Sequence, residues 1–278
     1  MLGQLGEGAK VLAGGQSLIP LLKLRFANPE HLVDLNFIPD TSFIKEDSGT
    51  LHFGAMTRHA EIEHSALARK VPVLHDCAAG IADVQVRNRG TIGGSLAEAD
   101  PSGDWANALI TLQTTVRCLG SDGPRTIHLK DFIKDAYTTA LAHNELVTEV
   151  EVKVPPEGSG GAYVAFKRSA PVYPSASAAV QLTMAGDVCQ DAAVALGCVG
   201  LTAIRATEAE AALRGRSLDY KTIATAAEAA RAAADPQPDM RGSAEYKRQL
   251  VVALVKRAVL IAARRARGEQ VEGAHLYA

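Results

Sequence analysis

The sequence predicts an α+β chain organised as two domains. Three observations carry this. Strand-like and helix-like stretches alternate through the first half. A proline- and glycine-rich segment, "PEGSGGA" at 156–162, interrupts the chain. Beyond it, three strand-like stretches are followed only by helices, the order of an α+β domain. A length of 278 residues accommodates two domains or one large one. A composition 47% hydrophobic and 22% charged is that of an ordinary globular protein.

In chain order, "KVLA" is strand-like and runs into Gly14-Gly15. Ser17 is placed to cap a short helix, "LIPLLKLRF", in which Pro20 falls in the first turn, where proline is tolerated. Asn28-Pro29 stops that helix. "HLVDL" and "TLHFGA" read as strands, and Thr57 opens a helical region that runs, with breaks, through "HDCAAGIAD". The polar, glycine-rich stretch "VRNRGTIGGSLAEADPSGDW" reads as a long loop before a helix over about 105–111. "TTVRCLG", the Asp122-Gly123 turn and "RTIHL" have a hairpin pattern, and "LVTEVEVKVP" is a further strand. After the boundary, "YVAFKRS", "ASAAVQLTMAG" and "DAAVALGCVG" read as a three-stranded meander. Helices then cover about 207–213, 221–233 and 244–267, with "DPQPDMRGS" linking the last two.

Composition excludes several function classes. A net charge of −2 offers no reason for a nucleic-acid partner, and "RRAR" at 264–267 suits the C-terminal end of a helix dipole. "LVVALVKRAVLIAA" is broken by Lys256 and Arg257, so it reads as a core helix and not a membrane span. The N-terminus has no signal-peptide pattern, and a cytoplasmic protein is expected. The four cysteines form no CxxC pair, show no zinc or iron–sulfur spacing, and sit among aliphatic residues as buried free thiols do. The eight histidines are scattered, and His59 and His64 are five apart, the wrong spacing for one helix face. Structural or surface roles are expected for them.

The glycine pairs are the informative motifs. Gly14-Gly15 is not a P-loop, because no Gly-Lys-Ser/Thr follows. A Rossmann fingerprint gains from Asp34, 20 residues past Gly14, but lacks the GxGxxG spacing and a full crossover helix. A phosphate cradle of another kind gains from "TIGGSL" at 91–96, which repeats the arrangement. Two such loops can aim successive backbone N–H groups at one anion, with Ser17, Thr91 and Ser95 adding hydroxyls, and a pyrophosphate suits the pair. On residues alone, two unrelated Gly-Gly turns account for the pattern equally well. Asp100 and Asp104 flank the second motif and can bind ribose hydroxyls or cap the next helix, capping being the simpler role for Asp104. Arg87 and Arg89 can offset phosphate charge or sit exposed. There is no GxSxG and no HExxH, so any chemistry is expected to belong to a bound cofactor.

"KVLAGGQSLIPLLKLRFANPEHLVDL" and "QVRNRGTIGGSLAEADPSGDWANALITL" closely resemble the FAD-binding medium subunit of the xanthine dehydrogenase family. The nearest likeness is to the carbon monoxide dehydrogenase-type flavoprotein subunits of bacterial molybdenum hydroxylases. The likeness extends through "SAEYKRQLVVALVKRAV". It implies a PCMH-type FAD-binding domain of two α/β subdomains over 1–155. It also implies a CO dehydrogenase flavoprotein C-terminal domain over 161–278, with a three-stranded antiparallel sheet and a helical bundle. Ala13, Gly14, Gly15, Gln16 and Ser17, with Thr91, Ile92, Gly93, Gly94 and Ser95, would then wrap the FAD pyrophosphate. Asp104 matches a residue that contacts the nucleotide, Leu146 one near the adenine, and Tyr173 an aromatic beside the isoalloxazine, with Lys167 at a nearby basic position. The chain departs from the family at Val172, where an acid is frequent, at Gln16 for histidine, and at Ser95 for asparagine or aspartate. Relatives carry an opening segment before the element near Leu2. Either the start was assigned late, or the element is absent and a sheet edge is exposed.

The function this resemblance implies is electron transfer through FAD. Electrons would come from [2Fe-2S] clusters in a small partner subunit, with molybdopterin in a large one. The three would form a heterotrimer that can dimerise. NAD+, a quinone or oxygen would be the acceptor. The alternatives are a stand-alone PCMH-type flavin oxidoreductase acting directly on a small organic substrate, and a non-enzymatic binding module.

Overall fold

The computed structural model describes residues 2–169 and 171–272, and the backbone of 276–277. Near the N-terminus β1 (Ala9–Leu12) pairs in parallel with β2 (His31–Asp34), Val11 opposite Val33. Parallel neighbours need a crossover, and α1 (Leu18–Lys23) supplies it. This helix ends at Lys23, well before the expected Asn28 stop. The Leu24 amide turns back to the carbonyls of Pro20 and Leu22, and Arg25 takes a left-handed φ of 60°.

β3 (Ile44–Asp47) and β4 (Thr50–Gly54) form a hairpin over Ser48-Gly49, both at positive φ, the conformation a tight two-residue turn requires. Next come α2 (His59–His64), α3 (Pro72–Gly80), α4 (Val84–Arg87), α5 (Ile92–Glu98) and α6 (Asp104–Leu109). The hairpin β5 (Thr114–Gly120) and β6 (Gly123–His128) follows the sequence pattern, and β7 (Leu146–Lys153) closes this half. The five-stranded sheet runs β3-β4-β7-β5-β6, antiparallel throughout. Leu51, Phe53, Val116 and Val150 from its strands are buried in one core with Ile62, Leu74, Ile92 and Trp105 from the helices.

The stretch expected as a polar loop before residue 105 is therefore largely helical. Asp83 accepts from the Val86 amide (2.9 Å) and starts α4. Thr91 accepts from the Gly94 amide (3.1 Å) and starts α5. Glycine content hid a helix whose start is set by its cap.

Past Lys153 the chain enters β8 (Ser159–Lys167), β9 (Ala176–Ala185) and β10 (Val188–Gly197), the expected meander. Of the glycines of "PEGSGGA", Gly158 lies in the turn before β8, at φ of 75°, and Gly160 and Gly161 lie inside the strand. A Cβ on Gly160 would meet the Ala262 carbonyl at 2.1 Å, because the last helix lies directly on this strand. α7 (Thr207–Leu213), α8 (Tyr220–Ala233) and α9 (Ala244–Ala266) complete the fold.

The second sheet is a shared wall. Ala162, Val164, Val180 and Leu182 face the core with α8 and α9, whereas Tyr163, Ala165, Ala179 and Ala195 belong to the core of the first half. Burial on both faces explains why these strands are mostly apolar or small instead of alternating, with Gln181 and Lys167 as buried polar exceptions. A buried ion pair crosses the same boundary. Arg265 of α9 holds Asp76 of α3 through both guanidinium arms (2.6 and 3.0 Å), and the Tyr163 amide donates to the same carboxylate (3.2 Å). Burial pushes the Asp76 carboxyl up, but His75, Arg265 and the Tyr163 amide outweigh it and hold it below the usual carboxylate range. Among the described residues no helix is long and apolar enough to cross a membrane.

Candidate cofactor cleft

Both glycine motifs open into one cleft of about 570 Å³, within the size range of small-molecule and cofactor sites. Ala13, Gly14, Gly15, Gln16 and Ser17 form one wall. Thr91, Gly94 and Ser95 lie on another, with Asp104, Lys167 and Tyr173 farther along. Ile92, Gly93 and Leu146 do not line it. Ile92 is buried in the first core, Gly93 lies against Ala55, and Leu146 stands at the start of β7 next to the cleft-lining Glu145.

The two motifs reach the cleft by different means. The first is an irregular turn in which Gly15 takes φ of +75°, open to glycine at little cost. Among the described residues, the amides of Ala13, Gly14, Gly15, Gln16 and Ser17 donate to no protein acceptor. Ser17 precedes α1 but its side chain caps nothing, so its hydroxyl is not spent on the helix. Gly14 is needed for close approach: a Cβ there would lie 2.2 Å from the Arg89 carbonyl oxygen.

The second motif is the first turn of α5, and its amides are already occupied. Ile92 donates to Thr57 O (3.1 Å), Gly93 to Ala55 O (2.9 Å) and Ser95 to Thr91 O (3.0 Å), while Gly94 reaches the Thr91 hydroxyl. The expectation that both glycine pairs present rows of amides is thus corrected for the second. It contributes the Thr91 and Ser95 hydroxyls and a side-chain-free surface at Gly94.

Charged groups complete the cleft. Lys167 is buried, its ammonium donates to the Gly80 carbonyl, and among the described residues no carboxylate forms an ion pair with it. A buried cation with only a carbonyl partner favours an anionic or carbonyl-bearing ligand. Asp104 is the first residue of α6, not its cap; Gly103 holds the cap position, and the buried Asp104 carboxylate accepts from the Tyr163 hydroxyl. Tyr173 stands half-exposed with the Arg241 guanidinium 6.0 Å from its ring centroid. Burial, then the carboxylate of Asp100, pushes its phenol up, so it stays neutral. Asp34, considered above for a ribose, lies outside the cleft and accepts from the Asn36 amide and side chain (2.9 and 2.6 Å).

Sequence reasoning missed His59 as a support of this site. Trp105 Nε1 donates to His59 Nδ1 (3.0 Å), which places the proton of the neutral ring on Nε2. The His59 amide holds the Gly90 carbonyl (3.1 Å), and the ring lies so close that a Cβ on Gly90 would be 2.6 Å from Nε2. Burial first, then Arg58 and Arg87, lowers its pKa to about 3. No local pattern marks this role, because Trp105 is 46 residues away.

Comparison with known proteins agrees with this geometry. Residues 1–155 match the FAD binding domain in molybdopterin dehydrogenase, and residues 161–262 the CO dehydrogenase flavoprotein C-terminal domain. The chain belongs to this flavoprotein family. It is 41% identical over 268 residues to the carbon monoxide dehydrogenase medium chain of Afipia carboxidovorans, covering 96% of this chain and 93% of that one. The structure of carbon monoxide dehydrogenase from Hydrogenophaga pseudoflava lacking the Mo-pyranopterin moiety superposes with a TM-score of 0.92 at 41% identity, covering 95% of this chain and 92% of that one. Quinoline 2-oxidoreductase from Pseudomonas putida 86 superposes with a TM-score of 0.90 at 35% identity, covering 95% and 93%. The chain is thus a FAD-binding oxidoreductase subunit. The open amides at 13–17, the buried ammonium of Lys167 and the cleft volume fit a dinucleotide with an anionic centre and a polar ring system.

Proposed function

We propose that this chain holds FAD in the cleft described above and passes electrons through it within a molybdenum hydroxylase-type complex. The Ala13–Ser17 amides, with the Thr91 and Ser95 hydroxyls, hold the pyrophosphate, and Ile92 and Gly93 support that wall from behind. Asp104 contacts the nucleotide, Leu146 borders the adenine end through its neighbour Glu145, and Lys167 and Tyr173 lie at the isoalloxazine. The bound flavin supplies redox chemistry; the chain binds it, orients it and limits water around it.

The observation that carries this reading is the convergence on one cleft of the five open amides and the buried Lys167, which among the described residues has no carboxylate in ion-pair contact. Partners are inferred from what the chain lacks for the rest of the reaction. Its four cysteines are free, with Cys77, Cys118 and Cys189 buried, so the reading assigns [2Fe-2S] clusters to a small subunit and molybdopterin to a large one, in a cytoplasmic heterotrimer. Similar likeness to proteins named for carbon monoxide and for quinoline fits a hydroxylation site outside this chain. NAD+, a quinone or oxygen takes the electrons.

The test is rapid-mixing spectroscopy on the full chain co-purified with co-expressed partners. The flavin absorbance is expected to bleach after the iron–sulfur signal on substrate addition, and not at all when the chain alone meets the substrate. Bleaching of the isolated chain by an organic substrate would instead establish a stand-alone oxidoreductase.

A further inference from the structure

One guanidinium connects the two glycine motifs. Arg58 Nη1 donates to the Arg89 carbonyl (2.7 Å), the same oxygen against which Gly14 is placed. Arg58 Nη2 donates to Asn36 Oδ1 (2.6 Å), and Asn36 Nδ2 donates to the Ala13 carbonyl (2.9 Å). The Asp34 carboxylate accepts from the Asn36 amide and from Asn36 Nδ2 (2.9 and 2.6 Å), which orients Asn36, and these bonds, the amide's first, hold Asp34 below its usual range. A closed circuit results: Arg58, Asn36, the Ala13–Gly14 turn, the Arg89 carbonyl, and back to Arg58.

The backbone around Arg58 serves the same purpose. Ala55 O accepts from Gly93, Thr57 O from Ile92, and the His59 amide donates to Gly90 O, so the 55–59 segment is fastened along the second motif. Among the described residues, the Arg58–Asn36 arm is the side-chain hydrogen-bonded link to the first, beside the packing of Gly14 on Arg89 and Gly90. Neither residue lines the cleft, so neither is placed to touch a ligand there.

We infer that Arg58 and Asn36 are positioning residues for the cofactor, a polar bridge that sets the spacing of the Ala13–Ser17 amides against the Thr91 end of α5. This rests on the cradle reading above. The bridge needs a planar fork with two donors on separate acceptors, which a lysine ammonium at the same place does not reproduce. The two carbonyls it holds belong to turns that otherwise meet by packing at Gly14 and Gly94, so its loss lets the amides spread without unfolding either core.

The test is FAD titration of the full chain, followed by quenching of flavin fluorescence, alongside melting of the FAD-free protein. Arg58→Lys is expected to raise Kd about tenfold or more. Asn36→Ala should do the same. The double variant should be little worse than the worse single, because both break one circuit. Millimolar guanidinium should restore affinity to Arg58→Ala, and FAD-free melting should move only slightly. Wild-type affinity in Arg58→Lys, additive losses in the double variant, or melting that falls in step with affinity overturns the bridge. Where Arg58→Ala does not fold, Arg58→Lys and Asn36→Ala carry the comparison. Ser17→Asp, which places a carboxylate among the open amides away from Arg58, separates the two levels. Unchanged affinity there overturns the cradle and the bridge together. Loss there with wild-type affinity in Arg58→Lys overturns the bridge alone.

Discussion

Gly14-Gly15 and Gly93-Gly94 look interchangeable in the sequence, yet the fold uses them in opposite ways. At the first pair the chain leaves regular structure, one glycine adopts positive φ, and five amides remain open to the cleft. At the second the chain enters a helix, and the amides of Ile92, Gly93, Gly94 and Ser95 are bonded within the protein. The missing side chains serve approach in both cases, but to different things. Gly14 admits the Arg89 carbonyl, and Gly93 admits Ala55 at the end of β4. On the proposed reading, one motif presents donors to the cofactor and the other holds the wall against which it rests.

The largest effect that separates them is expected from Gly93→Asp. A Cβ there would lie 2.6 Å from the Ala55 side chain and 2.7 Å from its carbonyl, and the carboxylate would be buried. Urea unfolding of the FAD-free chain should show a loss of about 3 kcal/mol or more. Unchanged stability with lost FAD binding would place the second motif on the ligand side and break the comparison.

Gly14→Ala comes next. The first turn lies near the surface and yields by moving away from Arg89, so FAD affinity should fall about a hundredfold, roughly 2.7 kcal/mol. Melting of the FAD-free chain should change far less. Equal losses in both measurements would make the two motifs alike.

Acid tests the support behind the second motif. His59 has a folded pKa of about 3 against 6.5 unfolded, so between these values the unfolded chain binds the proton more readily. The stability this contributes is complete above pH 6.5 and is lost as pH falls toward 3. At pH 5 the loss is about 2 kcal/mol. In His59→Asn that part of the pH dependence should vanish from the unfolding curves.

The smallest effect is Thr91→Ala. It removes the cap of α5 and should cost about 1 kcal/mol in unfolding, with a modest rise in Kd from the lost hydroxyl. A loss confined to Kd would show that Thr91 serves the ligand alone.

These contrasts explain what was legible in the sequence. The meander of β8–β10 and the three C-terminal helices followed from long apolar periods, and the Asp122-Gly123 hairpin from turn chemistry. On residues alone the two motifs left a cradle and two unrelated turns equally open, and the family likeness chose the cradle and named its cofactor. The helical start at Thr91 was obscured because glycine suggests loop, whereas the cap and the bonds to Ala55 and Thr57 decide the conformation. Asp104 suggested a cap because it precedes the helix expected near Trp105, yet it is the first helical residue and its carboxylate accepts from Tyr163, on the second sheet 59 residues on. Arg58, Asn36 and His59 act through contacts that cross the chain, and no local spacing records those.

Amide hydrogen exchange across the two motifs, with and without FAD, tests the central asymmetry most directly. The account predicts that FAD slows exchange at residues 13–17 strongly, while residues 92–95, already bonded within the protein, change little. Strong new protection at 92–95 with none at 13–17 would contradict it.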